Sequence, residues 1–365
     1  MNIDSIISKA LVLQPLTLDE GVFLYRNAPL SVLSFAANEI KNRFRKPEDR
    51  NKVGWIIDRN INLSNICVTR CKFCNFSRSK NSPEAYVTTM EQYREKISAL
   101  FAAGGNQVLL QGGMNPDFGM DFYCKLFSDL KREFPGVVLH ALGPAEVAYL
   151  SKTSNLSYRE VLEKLHASGL DSLPGAGAEI LVDRVRKIVS PAKCSAVEWL
   201  EVMHQAHVLN LPTSCTMMFG HVETLEERIQ HLIALRDTQA RKPEYSQGFV
   251  TFIPWPFCSE DTRLVKEYGM FAPISGEEYI RLIAISRLML NNIANIQASW
   301  LTVGKEIAQI CLHSGANDFG SIMMEEHVVS AAGAKYSLDS NEMIAAIRQA
   351  GFVPVRRNSR YEFVE

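Results

Sequence analysis

Apolar positions along this chain switch repeatedly between a period near two and a period near 3.6. Short runs rich in apolar and β-branched residues occur at 55–63 (WIIDRNINL), 107–111 (QVLLQ), 137–142 (VVLHAL), 170–174 (LDSLP), 213–219 (TSCTMMF), 248–254 (GFVTFIP) and 295–302 (NIQASWLT), with a weaker one at 316–323 (ANDFGSIM). In the first, Ile57, Arg59, Ile61 and Leu63 share one side. Between the runs lie helical patterns with start signals. Thr88 with Glu91 opens a helix that puts Tyr93, Ile97, Leu100 and Phe101 on one face, and Ser157 with Glu160, Ser195 with Glu198 and Thr224 with Glu227 repeat the capping-box pattern. Gly104, Gly169 and Gly315 follow helical stretches as stops. Strands alternating with helices predict an α/β protein with a parallel sheet. About eight βα units in roughly 270 residues predict a closed (β/α)8 TIM-type barrel; a six-strand open barrel with extra C-terminal elements is the alternative. Residues 1–53 read as an N-terminal helical extension, 54–337 as the barrel and 338–365 as a C-terminal appendage over one end. Barrel chemistry sits at the C-terminal ends of strands. That gathers 64–80, 111–116, 140–144, 173–179, 217–223, 254–258 and 299–304 around one mouth.

Composition narrows the partners. The 365 residues carry a formal net charge of −1, with 47% hydrophobic and 22% charged positions. This is a soluble globular balance, and it gives no basis for a nucleic-acid or acidic-membrane partner. No apolar run approaches the roughly 18 residues of a membrane span. The opening MNIDSIISKALVLQPLTLDE lacks the apolar centre of a signal peptide, so a cytoplasmic location is expected. Cys124, Cys194, Cys215, Cys258 and Cys311 are scattered singly and read as small core residues.

The other three cysteines form a tight cluster, Cys67-Val-Thr-Arg-Cys71-Lys-Phe-Cys74, on the loop after the first strand. Thiolates at this spacing can wrap one side of an iron–sulfur cube. A cube takes four ligands, so three leave one iron open to a small molecule, as in an open catalytic metal site. Zinc is the alternative; it needs a fourth ligand from afar, and no paired C-x-x-C is present. Arg70, Lys72, Arg78 and Lys80 flank the loop. Singly each reads as solvated; together they would favour an anionic cluster. Gln111-Gly112-Gly113-Met114 follows the second strand, either a plain turn or a place where backbone approaches a ligand. Ser172-Leu-Pro-Gly175-Ala-Gly177-Ala-Glu179 follows the fourth and opens a helix, with amide donors facing outward. Glu179 reads either as an acceptor for sugar hydroxyls or as a carboxylate favoured by the helix dipole.

The C-x-x-x-C-x-aromatic-C loop resembles the signature of the radical S-adenosylmethionine (SAM) superfamily. The resemblance implies a [4Fe–4S] cluster on Cys67, Cys71 and Cys74, with Phe73 near the adenine of S-adenosyl-L-methionine. It also implies SAM contacts from Gly112, Gly113, Gly175, Gly177 and Glu179. Met114 stands where the superfamily has a glutamate, so there only the backbone role carries over. Further segments are similar to the futalosine-pathway enzymes of menaquinone biosynthesis, the dehypoxanthine futalosine cyclases above all. They are Leu173–Arg186, Thr216–Thr224, Phe252–Phe257, Gln297–Trp300, Gly315–Asp318 and Gly351–Pro354, within a similarity spanning about residues 50–360. Ala176, Cys258 and Val303 depart from that pattern.

This resemblance implies an oxidoreductase that closes a carbon–carbon bond within dehypoxanthine futalosine. A 5′-deoxyadenosyl radical takes the ribose C4′ hydrogen, the sugar radical attacks the benzoate ring, and a proton and an electron leave. It further implies an electron donor such as flavodoxin or ferredoxin. Aminofutalosine synthases and the F420-pathway synthase subunits share the cysteine loop and are the alternative. A non-enzymatic iron–sulfur electron carrier is the other class, and the missing fourth loop cysteine speaks against it. The departing proton needs a base: His140 at the third strand end is the first candidate and His221 at the fifth the second. The substrate carboxylate calls for an arginine, with Arg59, Arg356 and Arg357 as candidates. Trp255 and Trp300, with Phe257, are candidate walls for an aromatic substrate.

Overall fold

The computed structural model describes residues 1–328, 330–333 and 336–364. One broken strand starts the sheet: β1 (Lys52–Ile56) and β2 (Asp58–Asn62), separated at Ile57. There follow β3 (Gln107–Gln111), β4 (Val138–Ala141), β5 (Thr213–Phe219), β6 (Phe249–Pro256), β7 (Asn295–Ile296), β8 (Asp318–Ser321) and β9 (Val353–Arg356). All these strands pair in parallel, as β2–β3–β4, β5–β6–β7 and β8–β1–β9. Single bridges complete the circuit. His140–Ser172 and Leu173–Thr213 insert a two-residue fourth strand, and Gln297–Asp318 joins β7 to β8. Since β8 pairs with β1, and Ile322 and Met324 continue that ladder onto Ile56 and Asp58, eight strand positions among the described residues close into a ring. This is the TIM-type (β/α) barrel and not the open six-strand alternative.

Local differences from the expected elements have local causes. The fourth strand shrinks to Ser172–Leu173 because Pro174 has no N–H to continue the ladder. The seventh stops at Ile296, and the chain turns into the short helix Trp300–Val303. The helix expected from Thr88 starts one residue later: Thr89 accepts from Gln92 N, and the Gln92 side chain answers the Thr89 N–H. Boxes at Ser157, Ser195 and Thr224 form as the sequence predicts.

Alternation places the core outside the ring. Ile61, Val108, Leu110, Leu139 and Met217 are fully buried with Tyr93, Ile97, Leu100 and Phe127 of the surrounding helices. The helices Ile3–Leu11, Leu18–Asn27 and Leu30–Arg43 pack on the helix Gly276–Met289, where Tyr25 donates to Glu278. At the other end of the chain, the helix Ser340–Gln349 leads into β9, which pairs with Lys52, Val53, Gly54 and Trp55 of β1. Residues 357–361 then cross the N-terminal end of the barrel: Arg357 N bonds Trp55 O, and its guanidinium grips Asp318 at 2.6 and 3.0 Å. Of the single cysteines, Cys215 and Cys311 are buried, whereas Cys124, Cys194 and Cys258 are partly exposed. No helix among the described residues is long and apolar enough to cross a membrane.

Candidate active site

One cavity runs from the cysteine loop down through the barrel to the crossing C-terminal segment. Its mouth is built from backbone brought very close. Gly113 N bonds Ser64 O at 2.6 Å, and a Cβ at Gly113 would lie 2.2 Å from Ile66 O. A Cβ at Gly112 would lie 2.7 Å from Ser64 O. The Gln111–Met114 turn is therefore pressed onto the root of the cysteine loop. Met114 N donates to Cys67 Sγ at 3.3 Å, and Thr69 Oγ1 sits 3.0 Å from Cys67 Sγ and 3.4 Å from Cys71 Sγ. Cys67, Cys71, Cys74 and Phe73 all line the cavity.

Gly175 is fixed the same way: a Cβ there would lie 2.7 Å from Cys215 Cα, and its N–H reaches Ser214 Oγ at 3.0 Å. The carbonyls of Gly177 and Ala178 are held by the buried Arg186, and that of Ala176 by Trp199. This clamp holds Glu179 at φ +42°, a strained value for a non-glycine residue. Glu179 is 5% exposed; Oε1 pairs with Lys193 at 3.0 Å, and Oε2 has no hydrogen-bond partner among the described residues, Arg186 standing off at 3.8 Å.

Electrostatics at the mouth centre on Lys193. Its ammonium lies 5.6 Å from the Phe73 ring centre. Burial opposes its charge, yet the Cys71 thiol and the carboxyls of Glu179 and Glu146 hold its pKa well above the ordinary lysine value. Burial pushes the Cys71 thiol up to about 11, against Lys193, and raises Cys74 and the Glu146 carboxyl as well. Thiols buried like this ionise in exchange for a metal. Among the described residues no three His, Cys, Asp or Glu side chains converge on one point as a single metal ion requires. A cube requires no such convergence, since each thiolate binds its own iron. The donor set therefore fits a [4Fe–4S] cluster better than zinc. The flanking basic residues add less field than their number suggests: Lys72, Arg78 and Lys80 are paired with Glu267, Glu84 and Asp117.

Below the mouth the barrel interior is polar. In a packed barrel these layers are Val, Ile and Leu. Here the cavity is lined by Asp58 and Asn60 of β2, Gln107 and Gln111 of β3, and His140 of β4. His140 Nδ1 lies 2.7 Å from Ser172 Oγ. Burial, with help from Arg357, depresses its pKa to about 4, so the imidazole is neutral near pH 7. Trp255, Trp300 and Arg357 also line the cavity.

The other expected site residues lie elsewhere. Arg59 points outward from β2 to Glu325 and Lys96 O. Arg356 reaches Gly104 O on the outside of the barrel, because successive residues of β9 face opposite ways. His221 is buried in its own loop: Nδ1 accepts from Val222 N at 2.8 Å and Nε2 reaches Met218 O at 2.9 Å, so neither nitrogen is free for a substrate. Phe257 packs against His221 and Phe271. Sequence reasoning missed Lys193, Asp58, Asn60 and Gln107. The polar alternation of β2 was a signal for two of them; nothing local marked Lys193.

Comparison with known proteins agrees with this geometry. Residues 61–235 match the radical SAM superfamily, and residues 246–365 match the CofH/MqnC C-terminal region. A cyclic dehypoxanthine futalosine synthase of Streptomyces coelicolor is 43% identical over 95% of this chain and 85% of its own length. One from Halalkalibacterium halodurans is 38% identical over 100% and 95%. A 5-amino-6-(D-ribitylamino)uracil–L-tyrosine 4-hydroxyphenyl transferase of Methanopyrus kandleri is also 38% identical, over 86% and 85%. Among solved structures, methylornithine synthase superposes with a TM-score of 0.72 at 19% identity, covering 96% of this chain and 97% of its own.

Proposed function

The chain belongs to the radical SAM superfamily, in the family of the cyclic dehypoxanthine futalosine synthases, and from that premise we propose that it converts dehypoxanthine futalosine to its cyclic product. The observation that carries this reading is a single cavity joining three thiols, a glycine-bound carboxylate and a polar barrel interior. Cys67, Cys71 and Cys74 would hold the cluster, and Phe73, Gly112, Gly113, Gly175, Gly177 and Glu179 would hold SAM, with the free Oε2 of Glu179 accepting from a hydroxyl. When bound, the cluster and SAM supply a carbon-centred radical that takes a hydrogen atom from the substrate.

The protein's own residues do the rest. Arg357 keeps N–H groups beyond those given to Asp318 and Asn358 O, and these would hold the substrate carboxylate at the barrel floor. Trp255 and Trp300 would wall the aromatic ring. Trp300 is fixed by its indole N–H on Ser321 O, so it is held as a rigid surface. Neutral His140 would accept the proton released when the ring recovers aromaticity, through the nitrogen not engaged by Ser172. With the mouth filled by cofactor and the floor closed by residues 357–361, water is kept from the radical. The reading includes a cytoplasmic location, in keeping with cysteines that are all free, and reduction by a flavodoxin or ferredoxin.

The second reading is the two-substrate transfer of the methanogen relatives. Anaerobic incubation of the iron-reconstituted protein with SAM and dithionite tests both. A product two mass units lighter than dehypoxanthine futalosine supports the cyclase. Turnover that requires tyrosine and the ribityl-aminouracil overturns it.

A further inference from the structure

Most polar groups inside the barrel already have partners. On the lowest level Gln107 donates to Asp58 at 3.2 Å, and Asp58 also accepts from Ser321. Nearer the mouth Ser214 takes the Gly175 N–H, and Thr216 donates to Gly175 O. Asn60 differs. It is 3% exposed and lines the cavity, and its Oδ1 has no hydrogen-bond partner among the described residues. A barrel layer gains nothing structural from an amide in a place where Val or Ile would pack, and a buried carbonyl without a donor is costly. Such a group is explained by a ligand that brings the donor.

Strand register locates that ligand. Asn60 lies opposite Leu109, and Leu109 opposite His140. The three form one level across adjacent strands, so Asn60 and His140 are roughly 10 Å apart, two strand spacings. A single sugar or aromatic ring fits between them, over Leu109. Gln111 lies one step toward the mouth and Asp58 one step toward the floor. Asn60 therefore faces the middle of any molecule that reaches from the cysteine loop to Arg357.

We infer that Asn60 is a specificity-determining residue, whose side-chain carbonyl accepts a hydrogen bond from a hydroxyl of the substrate's sugar and so holds that ring across Leu109 from His140. The inference rests on the function proposed above. It assigns the sugar to the middle level of the barrel and leaves the carboxylate to the floor.

A chemical double-mutant cycle tests it. The probes are dehypoxanthine futalosine and its single-deoxy sugar analogues. They are titrated calorimetrically into cluster-loaded, SAM-bound, unreduced protein, where no turnover occurs. In the wild type one analogue is expected to bind about tenfold more weakly than the parent. In Asn60→Ala the parent itself binds about tenfold more weakly, and the same analogue loses nothing further. Asn60→Leu, which refills the space, reproduces the loss and shows that a hydrogen bond and not a packing defect is being read. An analogue penalty equal in wild type and variants overturns the inference, as does unchanged parent affinity in both variants. If SAM-bound wild type does not bind dehypoxanthine futalosine at all, the functional reading fails and this inference fails with it.

Discussion

Replacing Gly113 by alanine isolates the contact that sets the cysteine loop against the second strand. The added Cβ would lie 2.2 Å from Ile66 O, 2.7 Å from Ile66 C and 3.0 Å from Asn65 C. All three are backbone atoms, so no side chain can swing away. Ordinary contact begins near 3.4 Å, and relief requires about 1.2 Å of displacement. Gly113 is not among the residues at positive φ, so alanine is conformationally allowed and the effect is steric. Ile66 directly precedes Cys67, and Met114, next to Gly113, donates to Cys67 Sγ. The displacement is therefore delivered to the first thiol from both sides. Overpacking of this kind costs about 1–3 kcal/mol, or roughly 1–4 °C in Tm for a chain of this size. A misplacement near 1 Å at a reacting centre costs about a hundredfold in rate. The expected result is a folded protein that binds less iron and cleaves SAM about a hundredfold more slowly. Gly136→Ala, where a Cβ would meet nothing within 4 Å, is the control and should match the wild type. Iron content, melting temperature and reductive SAM cleavage are measured in parallel. Wild-type cleavage and stability in Gly113→Ala would refute the close-contact argument.

Three further outcomes are expected. Lys193→Met removes the cation beside Glu179 and should weaken SAM binding at least about tenfold in equilibrium dialysis, with Lys193→Arg intermediate; unchanged affinity would remove Lys193 from the site. Arg357→Ala leaves Asp318 buried without its counter-ion and should cost about 3–5 kcal/mol in urea unfolding, and a loss below about 1 kcal/mol would show that the pair is solvated. Burial depresses His140 to about 4 and His207 and His231 to about 3, below the ordinary 6.5. Between those limits the unfolded chain binds protons that the native state does not, so stability is full above pH 6.5 and is lost as pH falls. Melting temperature should therefore drop from pH 7.5 to 5.5, and a flat profile would contradict the burial of these three neutral imidazoles.

Much of this was legible in the sequence because it is local. The cysteine loop, the two glycine segments and the capping boxes are contiguous, and each follows or precedes the strand or helix expected of it, except that the first box sits at Thr89 in place of Thr88 and the helix expected directly after Glu179 begins only at Asp183. What depended on distant packing was not legible. Arg356 and Arg357 differ by one step of a strand whose register only the folded β1–β9 pair reveals. His221 resembles a strand-end base, but its own loop carries Val222 N and Met218 O to both ring nitrogens. Lys193 looks like any surface lysine until the Gly175–Glu179 segment folds over it. Asn60 was readable in principle: Asp58, Asn60 and Asn62 alternate with Ile57 and Ile61, and Asp58 and Asn60 on the polar side line the cavity.

The most direct test of the central claim is isotopic. The reconstituted protein is reduced anaerobically with SAM and dehypoxanthine futalosine deuterated at the ribose C4′ position, and the 5′-deoxyadenosine is weighed by mass spectrometry. One deuterium in 5′-deoxyadenosine, together with formation of the cyclic product, is expected. SAM left intact by the cluster-loaded protein, or 5′-deoxyadenosine formed without deuterium while the substrate is consumed, would contradict it.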